Sequence, residues 1–124
     1  MTLATLVPSI RPAVGLDVSV SVEGGATVIA IRGEADVATL PVVADALAYF
    51  IAEQRGDVIV DLAETEFMGI ATLRALLRAR DVLDQGGRQL TLRSPSRIAD
   101  RLLAVFGLSH LVGAQRTAGL TTAP

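Results

Sequence analysis

The run Asp57-Val58-Ile59-Val60-Asp61-Leu62 is β-branched and free of Gly and Pro, and shortly beyond it Ile70 to Arg80 supply Ala, Leu and Arg at helical spacing. The first stretch predicts a strand buried on both faces, the second a helix. Ala63 to Gly69 between them reads as a loop. In an open α/β sheet the loop leaving a strand's carboxyl end is where sites are built, because the next helix presents unpaired N–H groups there. Gly69-Ile70-Ala71 offers no hydroxyl, thiol, imidazole or carboxylate. A site at this turn works by shape and apolar contact.

The rest of the chain arranges itself around that unit. Residues 1–14, with Pro8 and Pro12, read as an irregular lead-in. Leu16, Val18, Val20 and Val22 then alternate with Asp17, Ser19 and Ser21, as in a half-buried strand, and Gly24-Gly25 turns the chain into a second strand over Thr27 to Arg32. A short Gly-Gly connection predicts an antiparallel hairpin. A helix follows from Pro41 to Glu53, with Thr39 placed to cap it, and Gln54-Arg55-Gly56 stops it. Beyond the central unit, closed by Gly86-Gly87, come a strand over Arg88 to Arg93 and a third helix capped by Ser94 or Ser96. Leu108 to Val112 reads as a short returning strand, and residues 114–124 as a flexible tail. The order β-β-α-β-α-β-α predicts one α/β domain over 15–113, a mixed sheet made of an N-terminal hairpin plus parallel strands and covered by helices.

Composition narrows the function. Lys+Arg 11 against Asp+Glu 13 leaves a net charge of −2, with aromatics at 3%, so neither a basic footprint nor a stacking platform for nucleic acid is present. Zero cysteines fit a reducing compartment, and no apolar run approaches a membrane span. The expectation is a cytoplasmic protein that does not insert into membranes. Catalysis needs a base held near a nucleophile, and the one histidine, His110, reads as structural. Glu64 and Glu66 read as a solvated loop, so neither metal nor cofactor is expected. Gly33-Glu34-Ala35-Asp36 and Phe67-Met68-Gly69-Ile70 leave strands that the parallel arrangement brings to one sheet edge.

These residues resemble a STAS domain of the anti-sigma factor antagonist family, a cytoplasmic module of bacterial partner-switching systems. Gly33-Glu34-Ala35-Asp36 is similar to the family's Gly-Glu-Leu-Asp, Val60-Asp61-Leu62 to its central strand end, Gly86-Gly87 to its Gly-Gly turn, and Phe106-Gly107-Leu108 to its late Gly-Leu. The family's loop after the central strand reads Phe-Met-Asp-Ser-Ser-Gly-Leu, and the anti-sigma factor, a kinase, phosphorylates its first Ser. Here Gly69 stands in place of the Asp, Ile70 of that Ser, Ala71 of the second Ser and Thr72 of the Gly. Ile70 accepts no phosphate. Thr72 shares a stripe with Leu76, Ala79 and Leu83 at about 100° per residue and should face the sheet, out of a kinase's reach.

The resemblance implies a non-enzymatic regulator that docks on an anti-sigma factor kinase and frees a sigma factor. The expected contacts are Asp36, Thr39, Gly69, Ile70, Ala71, Thr72, Arg74 and Leu77. Ile70 and Leu77 fall at the border of the helix's two faces, beside the Arg74 and Arg78 stems. Two other roles stay open on the same fold: an accessory subunit bound to the ATPase of a lipid-transporting ABC system, and a module sensing a nucleotide or lipid beside Gly69. Homodimerisation also stays open.

Overall fold

A ten-residue strand, β2 (Ala26–Ala35), is the one that three others meet. The computed structural model describes residues 15–113, so the expectations for 1–14 and 114–124 lie outside it. β1 (Leu16–Glu23) pairs antiparallel with β2 through the Gly24-Gly25 turn, where both glycines take positive φ. β3 (Val58–Asp61) lies parallel to the first half of β2, from Thr27 opposite Val58 to Ala30 opposite Asp61. β5 (Leu90–Arg93) lies parallel to β3 on its other side. Three helices connect them: α1 (Leu40–Glu53), α2 (Ile70–Gln85) and α3 (Arg97–Val105). The mixed sheet and its antiparallel hairpin are as expected from the sequence.

One strand was not expected. Thr65–Met68, read above as loop, forms β4 and pairs parallel with the end of β2, Ala35 opposite Met68. Its four residues show no alternation; they become a strand because β2 outlasts β3 and offers them a free ladder. Asp61 Oδ1 takes the Ala63 N–H at 2.9 Å and tightens the turn after β3, while the Gly33 N–H donates to the Glu64 carbonyl at 2.9 Å. A bulge between Gly33 and Glu34 then resets the register. Gly33 has a φ of +95°, and a Cβ there would run into the Gly15 carbonyl oxygen. Only glycine fits.

Burial corrects the reading of β3. Val58 and Val60 are in the core, but Ile59 and Asp61 are half-buried, because the helices cover one face of the sheet only. On the uncovered face Arg93 bonds Asp61 and Glu23, both at 2.9 Å, and these partners, Glu23 first, push the guanidinium's pKa further up. Two local expectations also change. Thr39 sits at the N-cap position of α1 but its side chain makes no cap hydrogen bond, having other partners described below. Leu108 to Val112 forms a 3-10 turn over Ser109–Leu111, and only Val112 bridges to Leu92. Ser96, by contrast, caps α3 by accepting the Ala99 N–H at 3.2 Å.

The core lies between the covered face and the helices. Val42, Val43, Ala46, Leu47 and Phe50 of α1 and Leu73, Leu76, Ala79 and Leu83 of α2 meet Val18, Val20, Ile29, Ile31, Val58 and Val60. Arg88 fastens the opposite end of this layer from the α2 start. Its guanidinium donates to the carbonyls of Gly56 (2.9 Å), Ile51 (3.0 Å) and Gln54 (2.8 Å), satisfying oxygens that the end of α1 leaves open. Hydrogen bonds from a charged donor contribute about 1.5–3 kcal/mol each and are not fully additive. Arg88→Met should therefore lower unfolding free energy by about 2–4 kcal/mol in a urea titration; an unchanged midpoint would contradict this role.

Candidate docking site at the start of the second helix

The edge begins with a single carbonyl. Ala35, the last residue of β2, accepts the Gly69 N–H and the Thr72 hydroxyl, each at 2.9 Å. These two bonds fix the first turn of α2 against the end of β2. Thr72 is fully buried, so the inward orientation expected from the helical stripe is what the structure contains. Thr39 is also buried, at 5% exposure. Its hydroxyl donates to the Glu34 carbonyl at 2.8 Å and accepts the Asp36 N–H at 3.0 Å. Asp36 Oδ1 in turn accepts the N–H groups of Ala38 and Thr39, both at 3.0 Å. Asp36, with Thr39, thus builds the turn that leads into α1.

These bonds show where the expected contact residues sit. Thr39 and Thr72 hold the edge from beneath, and their hydroxyls are spent on backbone carbonyls. What they position is the backbone of the edge. Asp36, Gly69 and Ala71 are half-buried, Arg74 is exposed, and Leu77 packs mostly against the core margin. Ile70 stands out at 50% exposure.

Two further apolar side chains belong to this edge and were left out of the expected contact set, although the segment holding Phe67 was placed at the edge. Phe67 is 47% exposed and Val37 74% exposed. A Cβ built on Gly69 would lie 3.6 Å from the Phe67 ring and 3.8 Å from the Asp36 Cα, so both segments border Gly69 directly. Phe67 became visible only once β4 existed, because Glu34 opposite Phe67 sets which way the strand presents it. Val37 sits in a turn with no periodicity to mark it. Together with Ile70 they give an apolar surface around Gly69, and the chemistry available there is contact and exclusion of water.

Among the described residues no group of three His, Cys, Asp or Glu side chains gathers to hold a metal, and no helix is long and apolar enough to cross a membrane. What the fold and this edge define is a small mixed-sheet module with an apolar contact surface at a helix start. The chain belongs to the STAS domain family: the family model described as "Mlab, STAS domain" matches residues 18–113. No curated protein matches it. Among solved structures it is similar to an anti-sigma factor antagonist from Mycobacterium paratuberculosis, with a TM-score of 0.71 and 22% identity over 78% of this chain and 82% of that one. It is also similar to a putative anti-sigma factor antagonist from Thermotoga maritima, with a TM-score of 0.69 and 14% identity over 77% and 82%. The Bacillus cell fate determinant SpoIIAA in its phosphorylated form gives a TM-score of 0.62 at 17% identity over 78% and 87%. At these identities the likeness establishes a shared fold.

Gly33 and Gly69 should respond oppositely to substitution. Gly69 has ordinary φ of −92° and occupies the N-cap of α2 without a capping side chain. Gly69→Asp should stabilise by a few tenths to about 1 kcal/mol, by capping and by charge at a helix N-terminus. Gly33→Ala should cost more than about 1–2 kcal/mol for the left-handed φ alone. Urea unfolding of both variants measures the contrast, and equal midpoints would contradict it.

Proposed function

We propose that this chain is a cytoplasmic regulator of the anti-sigma factor antagonist kind, binding an anti-sigma factor kinase and thereby freeing a sigma factor, without being switched off at the family's usual phosphorylation position. The observation that carries this reading is Ile70: half-exposed at the first position of α2, where the family's acceptor Ser would stand, and neighboured by exposed Phe67 and Val37. Phosphorylation switches such a surface by placing a charge of roughly −2 at the interface. An isoleucine carries no such charge, so the interface is constitutive or governed by another signal. The likeness to solved anti-sigma factor antagonists supports the choice of partner. An accessory subunit docking on a transporter ATPase would use the same edge, and the missing acceptor suits that reading equally. The identity of the captured protein separates the two.

Burying the exposed half of Ile70 on docking would contribute about 0.8–1.5 kcal/mol, or up to about one power of ten in affinity. A carboxylate in its place would be buried without a partner, which costs more. Ile70→Asp should therefore abolish capture of the cognate anti-sigma factor while leaving the unfolding midpoint within about 1 kcal/mol of wild type. Val22→Asp, exposed on β1 opposite Thr27 at the other end of β2 from Ala35, should leave capture intact. Wild-type chain mixed with the kinase and ATP should stay in complex; phosphate on the chain together with dissociation would overturn the constitutive reading.

A further inference from the structure

A groove of about 550 Å³ runs between α1 and α2, on the outer side of the helical layer and away from Gly69. Ala44, Ala48 and Ala52, with Leu47 and Ile51, line it from α1, and Ala75, Ala79 and Val82 from α2. The outward face of α1 is unusual for a solvated helix, since Ala48, Tyr49 and Ala52 are exposed there where charged residues would ordinarily stand. The groove's size falls inside the about 300–1,000 Å³ range of small-molecule sites.

Among the described residues, Arg78 is the one charged residue lining this groove. It is exposed and, among the described residues, has no ion-pair or hydrogen-bond partner; Arg74, one helical turn earlier on the same flank, is in the same position. An open apolar groove rich in alanine, with an unpaired guanidinium at its margin, complements an unbranched apolar tail ending in an anion. From this geometry we infer that the groove binds a fatty acid, its tail along the alanines and its carboxylate on Arg78 and Arg74. The groove is separate from the docking edge, since none of Val37, Phe67 or Ile70 lines it; Arg74 alone is shared between the two readings.

Titration of the full isotope-labelled chain with dodecanoate, below the acid's micelle concentration, tests it. Saturable shifts should appear at the methyl groups of Ala48, Ala52 and Ala75. Ala48→Leu, which fills the groove from an exposed position, should weaken binding at least about tenfold, or about 1.4 kcal/mol. Arg78→Gln should weaken dodecanoate binding about fivefold or more, and dodecanol should bind wild type correspondingly less well. Absence of saturable binding overturns the assignment. So does binding that ignores Ala48→Leu, or dodecanol binding as tightly as dodecanoate with Arg78→Gln silent. A wild-type dimer in sedimentation that Ala48→Leu splits, with no acid bound, would give the groove to a second copy of the chain instead.

Discussion

The Ala35 carbonyl is the point on which the rest of the edge turns. It ends the one strand long enough to serve three neighbours, and it accepts both the backbone of Gly69 and the hydroxyl of Thr72. A buried carbonyl left unpaired costs about 1–3 kcal/mol, so two donors on one acceptor make the placement of the α2 start close to obligatory. The position of Ile70 follows from it. Gly69 and Thr72 are both tied down, and of the two side chains between them Ala71 is half-buried while Ile70 keeps half its surface in water.

The same logic explains why this edge is apolar yet ordered. Thr39 and Asp36 fold the turn after β2 by local bonds among themselves and to Glu34, so Val37 is carried outward and stands largely exposed. Exposed apolar side chains held by a rigid frame lose little conformational freedom when a partner covers them, which is the condition for efficient docking. Elsewhere, order comes from polar contacts of the opposite kind: Arg88 gathering three carbonyls behind α1, and Arg93 spanning Asp61 and Glu23 on the uncovered sheet face.

Features with a period could be read from the sequence. The β1–β2 hairpin, the three helices, the buried stripe through Thr72, Leu76, Ala79 and Leu83, and the Ser96 cap all announce themselves by spacing or by a single well-placed side chain. What escaped depends on a neighbour distant in the chain. β4 is a strand only because β2 continues past β3; Phe67 is outside only because β4 is a strand; Arg88 finds its carbonyls more than thirty residues away. The reading of β3 as buried on both faces failed for a related reason: a β-branched run records that a strand suits the residues, not how many helices lie over it. Thr39 shows the remaining limit, since a residue at a cap position is free to spend its hydroxyl on a preceding strand.

The central claim is that partner recognition uses the α2 start and its apolar border. An NMR titration of the labelled chain with its cognate anti-sigma factor tests it most directly. The account predicts perturbation concentrated at Val37, Phe67, Ile70 and Arg74, with Ala35 and Thr72 following as the frame beneath. Perturbation confined to Val105 and Phe106 at the end of α3, or to Thr91 and Arg93 on the uncovered sheet face, would contradict it.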